Sequence, residues 1–94
     1  MELHIIDTSW GVDRRNGRYG ESEAANVVFQ KLKVGPLPPI GPARHVFKIE
    51  EIKENSIVLF LSERAGSVEI SMGKPYDYRP LSMDGGHYYK IILE

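Results

Sequence analysis

A chain of 94 residues with 12 basic and 13 acidic side chains, a net charge of −1 and 41% apolar residues fits one globular domain, residues 1–94. Such a length buries roughly 60–65% of the unfolded surface, enough for one modest core. The near-cancelled charge argues against duplex DNA or an acidic membrane as partner, and the lack of cysteine excludes disulfides, thiol nucleophiles and thiolate zinc sites.

The first residues, Met1 to Asp7, have neither a basic flank nor a long apolar stretch, so they do not read as a signal peptide. The longest uninterrupted apolar run, Ile57 to Leu61, is too short to span a bilayer. The expected location is the cytoplasm, although a leader removed ahead of Met1 would leave the same sequence.

Leu3, Ile5 and Ile6 predict a short strand at about 2–8, followed by a loop over 9–20. Within it Asn16-Gly17 is a strong turn dipeptide flanked by Arg15 and Arg18, so the loop reads as a hairpin tip. Residues 22–34 are ambiguous. As a helix, Ser22 would cap it and Ala24, Ala25, Val28 and Leu32 would share a face. As a strand over 26–34, Val28, Gln30, Leu32 and Val34 alternate with Phe29, Lys31 and Lys33, and the β-branched pair Val27-Val28 favours this reading. The four prolines between Gly35 and Pro42 remove backbone donors and predict an extended crossover between two sheets.

From His45 onward the chain alternates short apolar runs with turn clusters, the pattern of antiparallel strands. Segments 45–52 and 57–63 flank a tight turn at Lys53–Ser56, and Glu50-Glu51 interrupts the alternation as a bulge would. Ile57, Leu59 and Leu61 face one way and Val58 and Phe60 the other, which places that strand centrally. Over 67–72, Val68, Ile70 and Met72 point inward. Tyr76 and Tyr78 share a face, and Pro80 marks an edge or irregular strand. The last strand sets Tyr89, Ile91 and Leu93 on one face and Tyr88 and Ile92 on the other. The predicted class is all-β, a small antiparallel β-sandwich or partly open barrel of six or seven strands. The alternative is an α+β domain with one helix near 22–33.

Chemistry is sparse. His4, His45 and His87 form no metal-ligand spacing, and no serine lies in a Gly-x-Ser-x-Gly elbow. No catalytic residue, metal or cofactor is expected, and the chain reads as a non-enzyme. Asp84-Gly85-Gly86-His87 resembles a ligand loop, yet an Asx-turn with two positive-φ glycines accounts for it. Pro39-Ile40-Gly41-Pro42-Ala43-Arg44 fits a P-x-x-P-x-R ligand form, but Gly41 weakens the extended helix such ligands rely on, and a structural crossover is the favoured reading.

Three surface readings follow. Val58, Phe60, Ile92 and Tyr88 exceed what two small layers cover, which predicts a binding or assembly module and a homodimer formed through sheet edges or aromatic faces, with another protein partner also compatible. Arg14, Arg15 and Arg18, beside Tyr19 and Trp10, offer a phosphate or single-strand nucleic-acid clamp, weakened by Asp13, Glu21 and Glu23. Tyr76, Tyr78 and Tyr88 with Trp10 offer an aromatic partner or carbohydrate surface.

Overall fold

The computed structural model describes all 94 residues, Met1–Glu94, as eight strands without a helix. One antiparallel sheet runs in the order β2-β1-β8-β7, from β1 (Leu3–Val12), β2 (Tyr19–Phe29), β7 (Tyr76–Tyr78) and β8 (Gly85–Leu93). The other runs β3-β4-β5-β6, from β3 (Gly35–Pro36), β4 (Lys48–Ile52), β5 (Ser56–Ser62) and β6 (Gly66–Ser71). The two pack face to face as a small sandwich.

Period-two alternation fills the space between them. The first sheet contributes Leu3, Ile5, Tyr78, Tyr89, Ile91 and Leu93, and the second contributes Ile49, Ile57, Leu59, Leu61 and Ile70. Burying one such side chain is worth about 1.5–3 kcal/mol. Phe47 and Ile40, from the crossover, complete the core. The parallel bridge Met72↔Leu93 and the Gly73 N–H to Leu93 C=O bond, 3.1 Å, stitch the sheets together at one corner.

The proline-rich crossover carries the chain from β2 to the second sheet, as its composition requires. Leu37 N–H donates to Phe47 C=O at 2.8 Å, and Ile40 and His45 form an antiparallel bridge around a tight turn. That turn needs left-handed backbone at Gly41 (φ +66°) and at Arg44 (φ +55°).

Several sequence boundaries are corrected. No helix forms over 22–33: Tyr19–Phe29 is strand, paired with β1 on both sides of one unpaired residue, Ala24. The tight turn over 13–18 brings these residues beside β1, and the ladder bonds of that hairpin outweigh a weak helical face. Half of the loop expected over 9–20 is therefore strand, with only 13–18 left as turn, and the strand expected over 26–34 starts earlier and stops at Phe29. The strand foreseen over 45–52 is confined to 48–52, since Val46 is exposed and His45 bonds back into the crossover. Met72 is 40% exposed rather than inward, because it has left the sheet to bridge Leu93. Gly85 and Gly86 carry no positive φ; they lie inside β8. The bulge at Glu50 is present, with Ile49 facing Leu59 and Glu51 facing Val58.

Gly41 sits directly over Asp7. A Cβ on Gly41 would fall well inside contact distance of Asp7 Oδ2, whereas one on Gly17, at a similar φ of +69°, would meet nothing within 4 Å. Gly17→Ala should cost about 1 kcal/mol, the backbone penalty alone, and Gly41→Ala more than about 2 kcal/mol. Urea denaturation of both variants checks this; equal losses would show that the Asp7 contact carries no weight.

Candidate functional site

One extra residue in β2 builds the outer surface of the first sheet. Asp7 pairs with Ala25 but Thr8 pairs with Glu23, leaving Ala24 as a bulge. Odd-numbered residues after the bulge, Ala25, Val27 and Phe29, pair with inward residues of β1 and pack on the core. Odd-numbered residues before it, Tyr19, Glu21 and Glu23, pair with Val12, Trp10 and Thr8 and face outward. On β8, Tyr88 pairs with Thr8 and faces outward too.

These outward side chains meet. The Trp10 and Tyr19 rings lie 6.0 Å apart at 26°, close to parallel. Tyr19 OH donates to Glu21 Oε1 at 2.7 Å, and Tyr88 OH reaches over β1 to donate to the same oxygen at 2.9 Å. The Arg79 guanidinium rests 4.1 Å above the centre of the Tyr88 ring, a cation–π contact. The two phenols, Tyr19 first and then Tyr88, hold the Glu21 carboxyl below its usual range, with Arg79 adding to them against partial burial. The same bond raises the Tyr19 phenol. Together Trp10, Tyr19, Tyr88 and residues 79–82 enclose a hollow of about 330 Å³. Gly86 packs close to two of the lining residues: a Cβ there would lie 3.1 Å from Ser82 Oγ and 3.7 Å from Trp10 Nε1.

A second hollow, about 310 Å³, shares Arg79, Pro80 and Leu81 with the first and is completed by Ser62, Arg64, Ala65 and Tyr78. Tyr78 OH donates to Ser62 Oγ at 2.9 Å, and Ser62 Oγ also accepts the Ala65 N–H at 3.0 Å. The largest hollow, about 630 Å³, lies at the opposite side of the sheet order and is lined by residues 28–38 alone. A single crossover segment bounds it, and no aromatic or acidic groups from other strands converge there.

Between the sheets lies a polar pair. Asp7 is fully buried; its Oδ1 accepts from His87 Nδ1 at 2.7 Å, while Oδ2 has no partner. His45 Nε2 contacts Leu61 C=O at 2.7 Å, and its ring packs 4.4 Å from Phe47 and 5.1 Å from Tyr89. His4 bonds Asn26 on the outer face. Each histidine thus has its own structural partner, and no group of three or more metal-type side chains is present.

The residues singled out in the sequence separate in space. Trp10 and Tyr88 share the outer hollow. Tyr76 and Tyr78 pair with Ile91 and Tyr89 and so face inward, where Tyr78 is buried and Tyr76 packs on the core. The four do not make one surface. Arg14 is engaged by Asp84. Arg15 and Arg18 flank the hairpin tip, where none of the three hollows lies. Glu21 and Arg79 belong to the site but carry no sequence motif. Only the Pro following Arg79 hinted at an irregular rim. No helix is long and apolar enough to cross a membrane.

No protein-family model matches the chain, and neither the curated proteins nor the solved structures include a significant match to it. The functional reading therefore rests on the geometry.

Tyr89 gives a measurable consequence of the buried pair. Burial first, and then the negative charge of Asp7, push its phenol up to about 12 from 10.0. Above the unfolded value the unfolded chain loses this proton while the folded one keeps it, so stability falls as pH rises from 10 to about 12. The loss across that window should be about 2–3 kcal/mol. Alkaline denaturation curves should flatten in this range for Tyr89→Phe; an unchanged slope would contradict the assignment.

Proposed function

We propose that the chain is a non-enzymatic binding module whose recognition surface is the outer aromatic face of the first sheet. One observation carries the reading: Trp10, Tyr19 and Tyr88 take no place in the core, yet they are held around one carboxylate and one guanidinium at a hollow of about 330 Å³. A volume of this size lies at the lower end of ligand sites. Rings fixed by hydrogen bonds lose little freedom when a ligand covers them. Glu21, already bonded by two phenols and held acidic, is a poor proton acceptor, which favours binding over catalysis.

Truncating a ligand-binding ring on a surface costs little stability, whereas truncating a core ring costs much. Tyr19→Ala and Trp10→Ala should each lose about 1 kcal/mol or less, against about 3–5 kcal/mol for Phe47→Ala. Denaturation midpoints of the three variants decide it. Losses at Trp10 and Tyr19 as large as at Phe47 would make the rings structural and remove the proposal.

A second reading, association with another copy of the chain, is favoured by Leu81 and Met83. They are 88% and 91% exposed beside the hollow. Three of the four sheet edges are blunted against pairing, β2 by the bulge and its acidic residues, β7 by its three-residue length and by Pro80, and β3 by its two-residue length and Pro36, which leaves β6 as the open edge. Sedimentation equilibrium at about 100 µM should then show a dimer that Leu81→Ser with Met83→Ser dissociates. A monomer of the unaltered chain at that concentration would end this second reading.

A further inference from the structure

We propose that the two adjoining hollows form one site for an acidic saccharide, with sugar rings against Trp10, Tyr19 and Tyr88 and a carboxylate between Arg64 and Arg79. The inference rests on the binding-module reading above and names its ligand class.

Three observations converge. First, the hollows of about 330 and 310 Å³ are not separate, because Arg79, Pro80 and Leu81 line both. A ligand of two or more rings can occupy them together. Second, the second hollow has no carboxylate in its lining, and neither of its arginines forms an ion pair; the ion pairs of the chain are Arg14–Asp84, Lys53–Glu69 and His87–Asp7. Two exposed guanidiniums beside the Tyr78 and Ser62 hydroxyls offer a fork of donors to an anion. Arg79 is steadied for this by its stacking on Tyr88.

Third, a carboxylate lies next to the aromatic hollow, bonded to two of the rings that line it. Glu21 Oε1 accepts hydrogen bonds from both phenols, and no hydrogen bond engages Oε2. A free carboxylate oxygen beside stacked rings accepts sugar hydroxyls, while the rings cover the apolar face of a pyranose. The same charge repels a phosphate at every nucleotide, which disfavours a nucleic acid strand. With one acceptor end and one donor end, the site fits a ligand with hydroxyls at one end and a single carboxylate at the other.

Isothermal titration calorimetry of the full chain tests this. Oligosaccharides ending in glucuronic, galacturonic or N-acetylneuraminic acid are compared with their methyl esters, neutral oligosaccharides and oligothymidylate. The expected result is binding of at least one acidic saccharide, at least about tenfold weaker for its methyl ester and for Arg64→Gln. Trp10→Ala should weaken acidic and neutral sugars alike, and circular dichroism should show both variants folded. Equal affinity for an acid and its ester would overturn the carboxylate assignment and leave the aromatic binding face standing. Tighter binding of oligothymidylate would overturn the saccharide in favour of phosphate. No binding of any acidic saccharide would refute this inference alone, because the stability comparison of core and surface rings tests the underlying reading independently.

Discussion

The single extra residue at Ala24 decides which half of β2 belongs to the core and which to the surface. In an unbroken strand, Tyr19, Glu21, Glu23, Ala25, Val27 and Phe29 would all project to one side. Either three polar residues would enter the core or three apolar ones would leave it. The bulge after Glu23 resolves this by turning the strand over once. Beyond it, Ala25, Val27 and Phe29 cover the sandwich core. Ahead of it, Tyr19 and Glu21 face outward, where they meet Trp10 and Tyr88. The fold and the candidate site therefore depend on the same local irregularity. The bulge also twists a long edge strand, which hinders pairing with another chain.

Asp7 marks the boundary between the two ends of the sandwich. Along β1, Leu3 and Ile5 precede it on the inward face, with Ile91 and Leu93 beside them on β8. At Asp7 the interior becomes polar and aromatic: His87 bonds the carboxylate, Tyr89 lies across from it, and Tyr78 and His45 pack near Tyr89. A buried carboxylate is tolerated only when paired, and removing its partner costs more than the pair contributes. Its second oxygen lies against Gly41, so the crossover turn has to come close and has to carry glycine. Helical or bulky sequence at that turn would break the contact. This contact fixes the crossover over the open flank of the sandwich, and the crossover brings Phe47 and Ile40 into the core.

The outer face shows how a small sheet supports a surface without a deep pocket. Tyr19 and Tyr88 lie on strands separated by β1, and Glu21 joins them through one oxygen. The segment after β7 cannot continue as strand past Pro80, so it rises as a rim between the two hollows. Asp84 then ties this rim to the hairpin, through Arg14 and through its carbonyl, which accepts the Val12 N–H at 2.8 Å. Two loops distant in sequence are thus fixed to each other at the edge of the aromatic face.

Residue pattern alone determined the all-β class, the inward set on β5 and β8, the hairpin tip at Asn16-Gly17, the bulge at Glu50 and the role of the prolines as crossover. These features come from local alternation and turn chemistry, which are written into neighbouring residues. The extent of β2 was not legible, since its outward half is polar and lacks the apolar alternation that marks a strand. For the same reason the odd positions on either side of Ala24 could not be sorted into faces, and Gly85-Gly86 read as a turn when their function is close approach to Trp10 and Ser82. Only the tertiary structure decided that Trp10 and Tyr88 meet while Tyr76 and Tyr78 turn inward, and that Glu21 and Arg79 join the former pair. That grouping depends on strand order and register, which arise from contacts between residues far apart in the chain and leave no periodic trace within it.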